Sequence, residues 1–465
     1  MKQVIYFAFL ICWTIGAAGQ IKKEKLNVLF IAADDLNNDL GCYGHPLIKT
    51  PNIDRLAKMG VQFNAAYNQY PLCNPSRASV MTGIRPEQLK IYDLDTHFRT
   101  RFPDVITLPQ LFRKNGYKSA RLGKIYHYHV PAEIGTDGLD DKPSWDTVVN
   151  PIGRDKLEEA LVKNLTPQRS LGAALAWHQS EGTADEQTDG KIANEAVRLM
   201  KTLKEEPFFM AVGFFRPHTP YIATKEFFDL YPTDKIQLPD SSISDWNDIP
   251  AAALFTKPAH WGLSVDERIT AMRAYYASIS LLDQQVGKLL DALEELDLMK
   301  STIIVFWSDH GYHLGEHGQW LKQSLFEGVA RVPLIIAGPG IAKAATCNRT
   351  VELVGLYPTL ATLCNLPLPG QLQGKNYTAL LKNPAAKWSH PAYTQIKRGT
   401  IFGNSIRTEK WRYTEWDEGR AGFELYDHEK DPNEFTNLYE SMKNSKTVIE
   451  LSKQLKLVKS SDQLN

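Results

Sequence analysis

Three long stretches of this chain are almost unbroken in apolar residues, and each stops at polar, chemistry-bearing side chains. Leu26–Ala33 runs into Asp34-Asp35, Thr302–Trp307 into Ser308-Asp309-His310-Gly311, and Pro207–Phe215 into Arg216-Pro217-His218. A shorter run, Tyr117–Leu122, leads into Gly123-Lys124 and His127. Apolar runs without alternation are what a strand covered on both faces requires, which is the situation in a parallel sheet. Helical periodicity at about 107–116, 189–204, 266–298 and 352–364 separates them. The alternation predicts an α/β fold, a mostly parallel sheet sandwiched by helices and joined by right-handed crossovers. Ligands bind such sheets beyond the carboxyl ends of the strands, so the four polar tips are expected to converge on one site.

From about residue 386 the pattern changes to short stretches rich in Tyr, Thr and Trp, at 400–408 and 410–416 and then Glu424–Asp427. These read as antiparallel strands. With the Pro- and Gly-containing segment 367–387 as the junction, the expectation is an N-terminal domain over 20–385 and a small C-terminal α+β subdomain over 386–465. The last twenty residues are polar and read as a fraying helix. Residues 1–19 carry Lys2, an apolar run from Val4 to Ile15 and a small-residue stretch, the layout of a secretory signal cleaved near Gln20. That run is shorter than the ~20 apolar residues of a membrane span. A secreted or periplasmic protein is expected, with no membrane attachment after signal removal.

The full chain of 465 residues has 53 basic and 53 acidic side chains, and loss of Lys2 with the signal leaves a charge of −1. Such a balance argues against nucleic acid as the partner. Beyond the signal only Cys42, Cys73, Cys347 and Cys364 remain, too few for a disulfide scaffold, although Cys347 and Cys364 are a candidate bridge. Sequons at Asn164, Asn348 and Asn376 matter only in a eukaryotic secretory host.

The densest chemistry lies in Cys73-Asn74-Pro75-Ser76-Arg77, followed by Ala78-Ser79-Val80-Met81-Thr82-Gly83. Asn74 is expected to cap a short helix from Pro75 to Thr82, with Gly83 just past its last turn. Cys73 then sits at the positive end of the helix and Arg77 one turn inside, an arrangement suited to a sulfate or phosphate. For a lone Cys the plainer reading is a buried thiol ahead of an ordinary helix. Three carboxylates, Asp34, Asp35 and Asp309, on two strand ends cannot share a small space without a cation, and oxygen-rich sites favour Ca²⁺ or Mg²⁺. His310 is the softer member, either a ligand or a group that orients one.

The Cys73 pentapeptide resembles the maturation signature of the sulfatases, in which this Cys is oxidised to formylglycine and the hydrated aldehyde supplies an oxygen nucleophile. The resemblance extends to Asp34-Asp35-Leu36, Gly41-Cys-Tyr-Gly44, Pro51–Ala57, Gly123-Lys124, Ser308–Gly311 and Gly315–Trp320, and to Ser405–Thr408, Arg412–Thr414 and Glu424–Tyr426 in the small subdomain. Many sulfatases have Asn at the position of His310, and the Asp-His pair makes the chain similar to the iduronate-2-sulfatase branch. The resemblance implies the sulfatase/alkaline-phosphatase-like fold and one Ca²⁺ held by Asp34, Asp35, Cys73 as formylglycine, Asp309 and His310. It also implies in-line attack on sulfur and a covalent sulfo-enzyme. His218 would protonate the leaving sugar oxygen, and His127, with His129 as a rival in the same loop, would act as the base that releases sulfate. Lys124 and Lys322 would neutralise sulfate oxygens and Arg77 would support the formylglycine.

The substrate implied is a sulfated oligosaccharide or polysaccharide, with the 2-O-sulfate of a uronic acid in a glycosaminoglycan or ulvan as the leading candidate. A formylglycine-generating or sulfatase-maturing enzyme is the implied partner. His97, Arg99, Arg101 and Tyr312 are candidate contacts to the sugar, and the segment from Tyr128 to Gly190 is expected to build substrate walls. Two alternatives stay open: a phosphodiester or phosphonate monoester hydrolase of the same superfamily, and a non-catalytic glycan-binding relative in which Cys73 stays a thiol.

Overall fold

The computed structural model describes residues 25–241 and 243–461; the expected signal segment lies outside them. At its centre is a nine-stranded sheet. From one edge the strands are Ala345–Cys347, Gly60–Tyr67, Arg331–Ala337, Thr302–Ser308, Asn27–Asp34, Phe208–Pro217, Lys118–Gly123 and Thr147–Val149, with Val351–Glu352 also pairing with Gly60–Tyr67. Arg331–Ala337 runs antiparallel to both of its neighbours, and all other pairings in this sheet are parallel. The α/β expectation therefore holds. The four strands that carry the polar tips lie side by side in the same direction, so their carboxyl ends share one edge.

Why these runs are apolar throughout is visible in Asn27–Asp34. Leu29, Ile31 and Ala33 face one core layer with the helices Thr188–Leu203 and Val265–Glu295. Val28, Phe30 and Ala32 face the other, with the helices Cys73–Thr82, Leu108–Lys114 and Leu356–Leu363. Side chains of a strand alternate between faces, and here both faces are covered. Two of the helices start at capping boxes: Ser264 with Glu267, and Thr107 with Gln110.

The C-terminal part contains an antiparallel sheet of Ala392–Arg398, Ile401–Arg407, Trp411–Trp416 and Gly422–Asp427. Its first strand, Ala392–Arg398, mixes polar and apolar residues, and its first five residues are buried. The terminal helix Lys446–Ser461 places Val448, Leu451 and Leu455 on Tyr393, Ile406, Tyr413 and Leu425. The candidate disulfide is corrected: Cys347 and Cys364 are both free thiols. Cys347 lies on an edge strand with its thiol directed to the Pro384 carbonyl, and Cys364 ends a helix with its thiol toward Leu26.

A buried ionic cluster ties this sheet to the main domain. Glu327 accepts from Arg407 at 3.3 Å and from Arg412, while Arg412 Nε also reaches Glu434 at 2.5 Å and His428 lies 2.8 Å from Glu434. Burial alone would raise the Glu434 carboxyl, but Arg412 and His428 outweigh it and hold it below the usual range. A carboxylate depressed in the folded state contributes stability that is present above its unfolded pKa and is lost as pH falls through the folded value. Unfolding in denaturant should therefore show stability declining as pH falls below about 4.5, and Glu434→Gln should flatten that decline. Glu327→Gln, which strands two guanidinium groups, should cost about 3–5 kcal/mol at neutral pH.

Candidate active site

Helix Cys73–Thr82 is buried along its whole length and ends at Gly83, whose φ of 70° is the left-handed geometry expected there. Its start differs from expectation. The residue before the helix is Leu72, no side chain caps it, and Asn74 instead donates to the Asp93 and Thr96 carbonyls at 3.0 and 2.9 Å. Asn74 therefore fastens the following loop, and Cys73 itself occupies the first helical position.

Arg77, one turn in, uses all five of its donors. Nε donates to Asp309 Oδ2 at 2.8 Å, Nη1 to the carbonyls of Lys124 and Ile125 at 2.8 and 3.1 Å, and Nη2 to the Ala33 carbonyl and Asp34 Oδ1, both at 3.1 Å. One guanidinium thus joins the helix bearing Cys73 to the ends of three strands. Burial opposes its charge, but Asp309 and Asp34 outweigh that and raise its pKa.

The other polar tips meet here too. Lys124 Nζ lies 2.5 Å from Asp34 Oδ2, and Lys322 Nζ lies 2.6 Å from Asp35 Oδ1 and 3.0 Å from Cys73 Sγ. His310 Nε2 is 3.4 Å from Cys73 Sγ and 3.4 Å from Asp35 Oδ1, and His218 Nε2 is 3.7 Å from Asp35 Oδ2. Burial would keep Asp34 and Asp35 neutral, yet Lys124, His218, Arg77 and Lys322 prevail for Asp34, and His218, Lys322 and His310 for Asp35, so both are lowered. Burial pushes the Cys73 thiol well up, with Lys322 only partly offsetting it.

Asp35 has φ of 62°, a left-handed conformation that costs a non-glycine residue of order 1 kcal/mol. Its backbone is held by Asp309, which accepts from Asp35 N at 3.2 Å, and by Tyr275, whose hydroxyl donates to the Asp35 carbonyl at 2.8 Å. Ser76 donates to the Asp309 carbonyl at 2.5 Å, and Ser308 accepts from Leu36 N at 3.0 Å. Sequence reasoning missed Tyr275, since a Tyr in mid-helix reads as core.

Asp35, Cys73, His218 and Lys322 reach a cavity of about 430 Å³, lined also by His127, His129, Arg169 and Phe255 among others. His127 is buried with neither ring nitrogen bonded to protein among the described residues, and burial followed by Lys124 lowers its pKa well below the usual imidazole value. His129 is half exposed and bonds Asp95 at 2.9 Å. Burial depresses His218 to about 3.

None of the four expected sugar contacts lines this cavity. His97 Nδ1 accepts from Arg99 N at 3.1 Å, and its ring stacks on Phe98. Arg99 is engaged by Asp141, Gln110 and the Pro103 and Val105 carbonyls. Arg101 lies in a separate shallow cleft with Lys90, Tyr92 and Lys397. Tyr312 is buried, sharing a 2.7 Å hydroxyl bond with Tyr221 and stacked on Tyr275. The segment 128–190 supplies wall residues of this cavity, from Tyr128 to Ala132, at Glu159 and from Arg169 to Ala173.

Residues 26–366 match the family model described as Sulfatase. The chain belongs to the sulfatase family. Residues 315–461 of this sulfatase also match the model described as N-sulphoglucosamine sulphohydrolase, C-terminal. It is 34% identical to a sulfatase of Formosa agariphila, covering 90% of this chain and 84% of that one. It is also 34% identical to the iduronate 2-sulfatase of Homo sapiens, covering 92% and 94%. Among solved structures, a 2-O GAG sulfatase matches with a TM-score of 0.74 at 25% identity over 94% of this chain and 93% of that one. The phosphonate monoester hydrolase of Agrobacterium radiobacter matches with a TM-score of 0.78 at 21% identity, over 94% and 96%, which shows a shared fold. The protein is a type I sulfatase of the iduronate-2-sulfatase-like branch and a sulfuric ester hydrolase.

Arg77→Lys keeps the charge but cannot reach five acceptors. It should lower kcat/KM by about 100-fold or more, since charge-assisted bonds are worth ~1.5–3 kcal/mol each. Steady-state kinetics with circular dichroism would check this; a folded variant with wild-type kcat/KM would show the fork to be dispensable.

Proposed function

We propose that this sulfatase is secreted or periplasmic, depends on calcium, and removes the 2-O-sulfate of a uronic acid or similar sugar in a polysaccharide such as a glycosaminoglycan or ulvan. The observation that carries the reading is the meeting of Cys73 with Asp34, Asp35, Asp309, Lys124 and Lys322 at one end of the sheet, where Asp35, Cys73 and Lys322 open into a cavity, in a chain that aligns with human iduronate 2-sulfatase over nearly its whole length. Secretion rests on the layout of residues 1–19. Conversion of Cys73 by a maturing enzyme would replace a thiol that stays protonated with a formylglycine hydrate, whose oxygen attacks sulfur.

The donor set suits a hard divalent ion. Ligand atoms of Asp35, Cys73 and His310, of Asp34, Asp35 and His218, and of Asp34, Cys73 and Asp309 form three groups, each within 4.8 Å. Asp35 Oδ2 is buried with no hydrogen bond. We assign Asp34, Asp35, Asp309, His310 and residue 73 as the holders of one Ca²⁺, which supplies positive charge to the sulfate oxygens when bound.

Lys124 and Lys322 add positive charge on either side of residue 73, where negative charge must be accommodated as the S–O bond breaks. His218 is the proton donor to the departing sugar oxygen. Its Nδ1 is 2.5 Å from the Thr219 carbonyl, which fixes the ring and leaves Nε2 facing the cavity. Burial keeps it neutral in the free protein, and an entering sulfate ester brings the negative charge that favours its protonation. His127 is the base: neutral, buried and without a protein partner, it can accept a proton from residue 73.

The matured enzyme should hydrolyse a 2-O-sulfated uronate disaccharide with kcat/KM at least about 100-fold above that for an aryl phosphodiester. Chelation should abolish turnover, and Ca²⁺ should restore it. A preference for the phosphodiester would reject this reading. His218→Ala should cost about 100- to 10,000-fold on the sugar sulfate. It should cost much less on an aryl sulfate, whose leaving group departs without a proton; equal losses would exclude His218 as the acid.

A further inference from the structure

Arg169 is a lining residue of the catalytic cavity that the mechanism above does not use. It belongs to the wall segment after Tyr128, and its position is well defined. Nε donates to the Ala173 carbonyl, and the guanidinium lies 4.5 Å from the Trp261 ring centroid and 5.8 Å from that of Phe255. Such stacking holds the plane of the fork while leaving its outer nitrogens free. Among the described residues neither Nη1 nor Nη2 bonds to protein, and no carboxylate pairs with it.

The other charges that line the cavity are accounted for. Lys322 pairs with Asp35, Glu159 with Lys156, and His129 with Asp95. Arg169 is thus an oriented, half-buried cation whose two outer nitrogens, with four N–H donors between them, have no protein acceptor, in the wall of the cavity that Cys73 also lines. A planar fork with both outer nitrogens free is matched by a carboxylate, which accepts two parallel bonds.

We infer that Arg169 is a specificity-determining residue that binds the carboxylate of the sugar carrying the scissile sulfate. This rests on the uronate reading above and names the group that reads the acid. It accounts for how the cavity would tell a uronate from a neutral sugar sulfated at the same position, because the neutral sugar leaves the desolvated guanidinium unpaired.

The test compares three substrates with the matured, calcium-loaded enzyme and its R169K and R169Q variants. They are a 2-O-sulfated uronate disaccharide, its carboxyl-reduced analogue, and that reduced analogue bearing a second sulfate. The wild type should favour the uronate over the reduced analogue, and R169Q should shrink that ratio of kcat/KM by about 10- to 100-fold, mostly through KM. R169K, which keeps charge and stem, should recover part of it.

Equal loss on all three substrates would overturn the inference and make Arg169 a wall residue only. A selective loss on the doubly sulfated analogue would overturn the carboxylate in favour of a second sulfate. Wild-type enzyme that turns over aryl sulfate but none of the sugars would defeat the uronate reading itself, and the inference with it. Turnover of the uronate with an unchanged ratio in R169Q would defeat the inference alone.

Discussion

The structure depends on one constraint: carboxylates gathered at the ends of parallel strands must be neutralised inside the protein. Asp34, Asp35 and Asp309 are all buried. An isolated buried carboxylate would take up a proton, and a site of protonated acids would hold neither a metal nor an anion. For Asp34 and Asp35 the cations Arg77, Lys124 and Lys322 help to prevent this from three directions, on a helix, a strand end and a loop, and Arg77 also pairs with Asp309. Arg77 is the most consequential because its bonds also set where the helix bearing Cys73 stands against the sheet.

The other supports of the site follow from that arrangement. Lys322 can approach Asp35 and Cys73 because its loop bends sharply, with Leu321 and Gln323 both at positive φ. The loop is held by Gln323 N donating to the Pro71 carbonyl at 3.1 Å and by Arg398 donating to the Gln323 carbonyl at 2.5 Å. Arg398 lies on the first strand of the C-terminal sheet, so the small subdomain buttresses a cation of the site in the main domain. Strain of this kind persists only where surrounding contacts over-determine it, and it falls here beside Cys73 and at Asp35.

Much of this was legible in the sequence. The apolar runs at Leu26–Ala33 and Thr302–Trp307 have the pattern of doubly covered strands, and the terminal acids of parallel strands fall at one edge. What stayed hidden depends on contacts distant in the chain. Tyr275 supports Asp35 from the middle of a long helix, where nothing distinguishes it from a packing aromatic. Arg99 and His97 were of a suitable type for a sugar contact, yet their donors and acceptors are satisfied within their own loop and by Asp141. Arg99 is engaged by protein partners through all of its nitrogens, whereas the outer nitrogens of Arg169 are not, a difference that residue type does not show. Asn74 illustrates the same limit at short range, since a loop carbonyl competed successfully for a side chain that local preference would place at a cap.

All of the site's charge surrounds one side chain whose encoded form, a buried protonated thiol, is a poor nucleophile. The most direct measurement is the mass of the tryptic peptide containing Cys73, from protein made in its natural host or with a maturing enzyme. The account predicts a mass matching the aldehyde or its hydrate in place of the thiol. A peptide found only as the unmodified thiol would contradict it and leave a glycan-binding protein on a sulfatase fold.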